Sequence, residues 1–117
     1  KCNTVRITSK NGTDVSYDID TNYAFDYDDG DFSKPKFGTA PGFVNIVPKL
    51  NSMNGRIVFD YLQHAVLTDK VEFIMNDGII SEVKGEGAAQ FKEYLASFND
   101  ENMYKISHNM LGLFGAV

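Results

Sequence analysis

Hydrophobic and polar positions alternate in short stretches along most of this chain and change to helical spacing once. Residues 4–9 alternate and are β-branched, which predicts a strand. Residues 14–20 alternate again, with Val15, Tyr17 and Ile19 on one face. Asn11-Gly12 between them is a hairpin turn signal, so the two stretches predict a first hairpin. Residues 42–48 predict a strand that Pro48 ends, because proline cannot donate to a ladder. Residues 51–54 read as a turn and 56–60 as a short buried strand, and 63–67, with His64, as a further short strand. The clearest hairpin follows. Residues 70–76 and 79–84 flank Asn76-Asp77-Gly78, a turn whose residues tolerate left-handed backbone.

Phe91, Tyr94, Leu95 and Phe98 fall at i, i+3, i+4 and i+7, which predicts a helix over 88–98 with a core-facing stripe. Gly87 starts it and Asn99-Asp100 ends it. Residues 105–108 then read as an extended segment that delivers His108. The tail, 110–117, is apolar and is expected to pack into the domain, a partner subunit or a continuation of the chain. Residues 21–41 are the least regular. Their aromatics, Tyr23, Phe25, Tyr27, Phe32 and Phe37, are dense for a loop. They either pin an Ω-like loop onto the sheet or line a binding groove. Closely spaced strands with one late helix predict a single α+β domain over 1–117. Its sheet is curved and mostly antiparallel, a partial barrel, with one principal helix near the C-terminus.

At 117 residues and 43% hydrophobic, the chain supports one core. A net charge of −5 argues against a general nucleic-acid or anionic-membrane binder, which needs a basic surface. No apolar run approaches the roughly 20 residues of a membrane span. Cys2 is the one cysteine, so an intramolecular disulfide is excluded and a reducing, cytoplasmic setting is expected. The start shows neither a signal-peptide pattern nor an initiator Met, which points to a processed chain or a piece of a longer parent. The acidic run from Asp26 to Asp31 departs from a calcium loop: its glycine comes fifth, and no glutamate closes twelve residues. The histidines are His64 and His108. His108 has the better functional case, because it ends an apolar run with Gly112 and Gly115 just beyond. No His-x-His, His-x-Asp, Cys-x-x-Cys, nucleophile-elbow, P-loop or dinucleotide pattern completes a site.

Several segments, taken in order, carry a resemblance: Asn11 to Asp14, Pro41 to Pro48, Asn54 to Asp60, Phe73 to Ile80 and Tyr104 to Leu113. Together they resemble the C-terminal metal-binding domain of the thermophilic aminopeptidase family. The branch most similar is that of 2,5-dihydroxypyridine dioxygenase. In the aminopeptidases the Pro-Gly segment carries a metal-binding glutamate; the matching stretch here has none. A second glutamate ligand of the aminopeptidases falls where this chain has His108. The dioxygenase branch has a histidine there, one of two histidines and a carboxylate around non-haem iron. The resemblance therefore implies that His108 is an iron ligand whose companions, a His-x-Asp pair, belong downstream of Val117.

One candidate ligand is too few for a facial triad. The leading expectation is thus a non-catalytic, truncated relative that binds a peptide or protein, as a helper in modified-peptide biosynthesis, and forms a homodimer. Tyr23, Phe25, Tyr27, Phe32 and Phe37 would line the peptide site. Free sheet edges would favour strand addition, and the acidic residues between Asp14 and Asp31 a basic or neutral peptide. No cofactor is expected for such a chain. The alternative is a fragment of a ring-cleaving dioxygenase or metallo-aminopeptidase, with Fe(II) or another divalent metal in the complete enzyme.

Overall fold

Strand pairing in this protein starts from two hairpins and one long return. The computed structural model describes residues 2–23, 26–28, 33, 42–60 and 70–112. Its elements are β1 (Thr4–Thr8), β2 (Asp14–Asp18), β3 (Asp26–Asp28), β4 (Phe43–Ile46), β5 (Asn54–Phe59), β6 (Val71–Asn76), β7 (Ile79–Lys84), α1 (Ala88–Ser97), a 3-10 turn (Glu101–Tyr104) and β8 (Asn109–Gly112). They form a five-stranded sheet, ordered β1-β2-β5-β6-β7, and a three-stranded sheet, ordered β3-β4-β8. Every pairing is antiparallel. The α+β expectation therefore holds: a curved sheet that does not close, and one helix near the C-terminus. The expected strand at 63–67, with His64, lies outside the described residues.

The alternation read from the sequence becomes rows across the large sheet. Ile7, Val15, Gly55, Met75 and Ile80 form one row, and Ile57, Phe73 and Val83 another. Val15, Tyr17, Val71, Phe73, Met75 and Val83 are buried there. Ile80 and Val83 share this face although they are three residues apart. A bulge explains it: Ile74 opposes Glu82 while Met75 opposes Ile80, which leaves Ser81 as the extra residue. Ser81 Oγ donates to the Ile74 carbonyl at 3.0 Å.

The Asp77-Gly78 turn has both residues left-handed, φ 49° and 78°, as a tight hairpin requires. The first hairpin differs from the two-residue turn that Asn11-Gly12 suggests, because five residues separate Thr8 from its partner Asp14. Asn11 is spent elsewhere. Its amide donates to the Val58 carbonyl at 2.9 Å, and its Oδ1 accepts from the Thr13 backbone.

The helix forms where predicted, but Phe98 lies past its end and is 49% exposed; the helix meets the core cluster through Ala88 and Phe91, while Leu95 is buried beside it. Phe91 stacks on Phe73 at 5.0 Å between ring centroids, and Phe73 meets Phe59 at 4.8 Å. The irregular 21–41 segment contributes β3, a strand that its Asp residues hide from propensity reasoning. The tail's first residues pair within the domain, since β8 runs antiparallel to β4.

The two sheets join at a corner. Ile19 bridges Pro48, the Asp20 amide donates to the Val47 carbonyl at 3.0 Å, and the Lys49 amide to the Asp18 carbonyl at 2.7 Å. The chain after β4 thus runs from the small sheet to the end of β2 in the large one, and Ile46 enters the shared core.

Candidate functional site around His108

His108 sits between two anchored points. On its N-terminal side, the 3-10 turn is capped by Asp100, whose side chain accepts from the Asn102 amide. Lys105 then bridges Ile79, and the Ile106 amide donates to the Gly78 carbonyl at 3.1 Å. That carbonyl belongs to the tip of the central hairpin. The tip is itself fixed: the Gly78 amide donates to the Met53 carbonyl at 2.8 Å, and the Asp77 amide to Asn54 Oδ1 at 3.0 Å. On the C-terminal side, Asn109 opens β8 opposite Ile46, and its Oδ1 accepts a hydrogen bond from the Tyr17 hydroxyl at 3.1 Å.

His108 is exposed at the end of this bridge, with Ser107 Oγ 3.2 Å from its Nδ1. A ring that carries its proton on Nδ1 donates it to that hydroxyl and leaves Nε2 as a free lone pair toward solvent. That is the form in which an imidazole binds a metal. On the neighbouring strand, Asn45 lies opposite Met110, two residues beyond His108. Its Oδ1 is shielded from solvent and has no hydrogen-bond partner among the described residues.

Tyr17 is 1% exposed, and burial pushes its phenol above the ordinary tyrosine range. It is therefore a neutral donor at physiological pH. Sequence reasoning placed Tyr17 on one face with Val15 and Ile19 but missed its hydrogen bond to Asn109 beside His108. The available signal was the hydroxyl itself, since a phenol in an apolar row needs a partner.

The five aromatics proposed for a peptide site are only partly visible. Tyr23 and Tyr27 are 62% and 67% exposed. Phe25, Phe32 and Phe37 lie outside the described residues. An open cleft of about 490 Å³ adjoins Tyr23 in the chain, lined in part by Asn3, Asp18, Asp20, Asn22 and Lys49. Its Asp20 carboxylate is engaged locally, accepting from the Asn22 amide and side chain at 3.0 and 2.9 Å.

No three His, Cys, Asp or Glu side chains come together to hold a metal among the described residues. They supply one imidazole, not a triad.

The family model for 2,5-dihydroxypyridine 5,6-dioxygenase (NicX) matches residues 1–115. The chain belongs to the NicX family. The solved structure of 2,5-dihydroxypyridine dioxygenase from Pseudomonas putida KT2440 matches 96% of the chain, with a TM-score of 0.73 at 22% identity. At that identity the likeness establishes the fold. The chain spans 34% of that enzyme's length. No curated protein matches it significantly. These matches speak for the dioxygenase branch of the resemblance; its aminopeptidase branch is not among them. NicX membership brings an iron cofactor into view for a complete enzyme, and it favours the dioxygenase-fragment alternative over the peptide-binding expectation. No helix among the described residues is long and apolar enough to cross a membrane.

Proposed function

We propose that this chain is the His108-bearing portion of a ring-cleaving dioxygenase that acts on a dihydroxypyridine or a similar dihydroxylated aromatic ring. The observation that carries this reading is an exposed imidazole, fixed at both ends of its segment, in a chain that the NicX model matches from residue 1 to 115. Non-haem iron of this type takes two histidines and one carboxylate on one face and leaves positions open for substrate and oxygen. His108 suits one imidazole position, with Ser107 Oγ beside its Nδ1 and the side chain exposed. The described residues do not complete the set, and on this reading the other ligands are contributed from outside them. On this reading the described part of the chain orients one ligand.

The test is iron binding by the whole protein that carries this chain. Anaerobic Fe(II) titration should give stoichiometric binding. His108→Ala should reduce bound iron to a small fraction while circular dichroism stays that of the parent. Full iron occupancy and unchanged ring cleavage in His108→Ala would overturn the assignment. The second reading, a peptide- or protein-binding homodimer, draws on the exposed Tyr23 and Tyr27 and on β1, an edge strand of the large sheet among the described residues.

A further inference from the structure

Tyr17 and Asn109 come from opposite ends of the chain and from different sheets, yet they share a hydrogen bond of 3.1 Å. Tyr17 is one of the largest fully buried side chains, set in the core with Val15, Ile46 and Met53. A phenylalanine would fill the same volume without desolvating a hydroxyl, which in an apolar setting is unfavourable unless the group is bonded. The hydroxyl spans to the first residue of β8, next to His108. The β4–β8 ladder fixes the backbone there, but it cannot by itself fix the small sheet against the large one. The corner at Ile19 and Pro48 joins the sheets at one end, and the Tyr17–Asn109 bond adds a second tie, from β2 to the strand that follows the histidine.

We infer that Tyr17 and Asn109 are a positioning pair that sets the orientation of His108 relative to the core. With the Gly78–Ile106 hydrogen bond at the other end, they hold a short segment, Ser107 and His108, taut between two fixed points. The imidazole is thereby oriented while staying exposed, as a ligand group that must reach outward requires. This deepens the reading of His108 as an iron ligand and rests on it for its purpose, though not for its geometry.

The test uses the whole protein that carries this chain, isotope-labelled, and two readouts: the His108 ring resonances, and amide hydrogen exchange across β8. Tyr17→Phe should accelerate exchange at residues 109–112 about tenfold, as expected when one buried hydrogen bond is lost. It should also shift and broaden the His108 ring signals, while the β5–β6 amides keep their protection. Asn109→Leu should reproduce both effects from a half-buried position, which covers the case in which Tyr17→Phe fails to fold. Asn109→Asp keeps the acceptor and should retain the parent behaviour. Unchanged β8 exchange and ring signals in Asn109→Leu would overturn the pairing, as would loss of both in Asn109→Asp. Failure of the iron assignment reads differently: His108→Ala would keep iron, while Tyr17→Phe would still perturb the ring.

Discussion

The five-stranded sheet and the three-stranded sheet are built by different rules. In the large sheet most neighbours are also neighbours in sequence: β1 with β2, β5 with β6, and β6 with β7. Its turns are local and carry their own chemistry, and its inward face is a continuous row of apolar side chains. In the small sheet β4 pairs with β8 across most of the chain's length. Its cohesion comes from a ladder of short strands, a corner at Ile19 and Pro48, and the Tyr17 hydrogen bond. Pairing distant segments requires closing a long loop, so this sheet depends on the large one already being in place. The difference separates two roles: the first sheet carries most of the buried apolar core, and the second begins directly after the exposed His108.

The strongest way to break this contrast is at Gly55. Its φ is +123°, and a Cβ there would lie 2.3 Å from the Asp14 carbonyl oxygen and 2.9 Å from Val15 Cα. Both are backbone atoms of the adjoining strand, so no side chain can swing aside. Gly55→Ala should destabilise the fold by more than about 4 kcal/mol, since strain and a broken β2–β5 ladder add together. Urea denaturation followed by circular dichroism checks this. Both sheets should be lost together; protected β4–β8 amides in an otherwise unfolded variant would show that the small sheet stands alone.

Phe73 sharpens the contrast. It is 7% exposed and lies between Phe59 and Phe91, so it links the sheet to the helix. Phe73→Ala should cost about 3–5 kcal/mol. Because it removes packing without touching the His108 bridge, the His108 ring signals at low denaturant should stay those of the parent. A midpoint within about 0.5 kcal/mol of the parent would mean that the aromatic chain is not the keystone of the large sheet.

The two regions were unequally legible in the sequence for the same reason. Asn76-Asp77-Gly78 announces its hairpin because turn chemistry is local, and Val15 and Tyr17 declare their face by alternation. The bulge was written in the break of that alternation between Ile80 and Val83, but period-two reading absorbs such a break into one strand. Strand β3 was hidden because Asp26 and Asp28 are poor strand formers whose pairing with β4 is tertiary. The β4–β8 partnership leaves no local trace, so neither it nor the Tyr17–Asn109 contact could be read from spacing. His108 stood out through family resemblance far more than through periodicity. Phe98 shows the opposite error: helical spacing continued past the residue where the helix stops.

The smallest effect is expected on the outward face of the large sheet, where Arg6 grips Asp14 through two hydrogen bonds of 2.9 and 2.8 Å. The Arg6 hydrogen bond, helped by the charges of Arg6 and Arg56 and opposed by desolvation, holds the Asp14 carboxyl below the usual carboxylate range. A carboxyl with a lowered folded pKa stabilises the fold above the pKa of the unfolded chain, and that contribution disappears as pH falls through the folded value. Both groups are largely in water, where long side chains lose entropy on pairing and salt screens the attraction. The urea midpoint of Arg6→Gln should therefore trail the parent only slightly near neutral pH. The gap should narrow as the solution is acidified below the carboxylate range, and narrow again in 1 M salt. A gap as large as that of Phe73→Ala, or one that widens in acid, would place part of the foundation on the charged face and undo the assignment of stability to the apolar row.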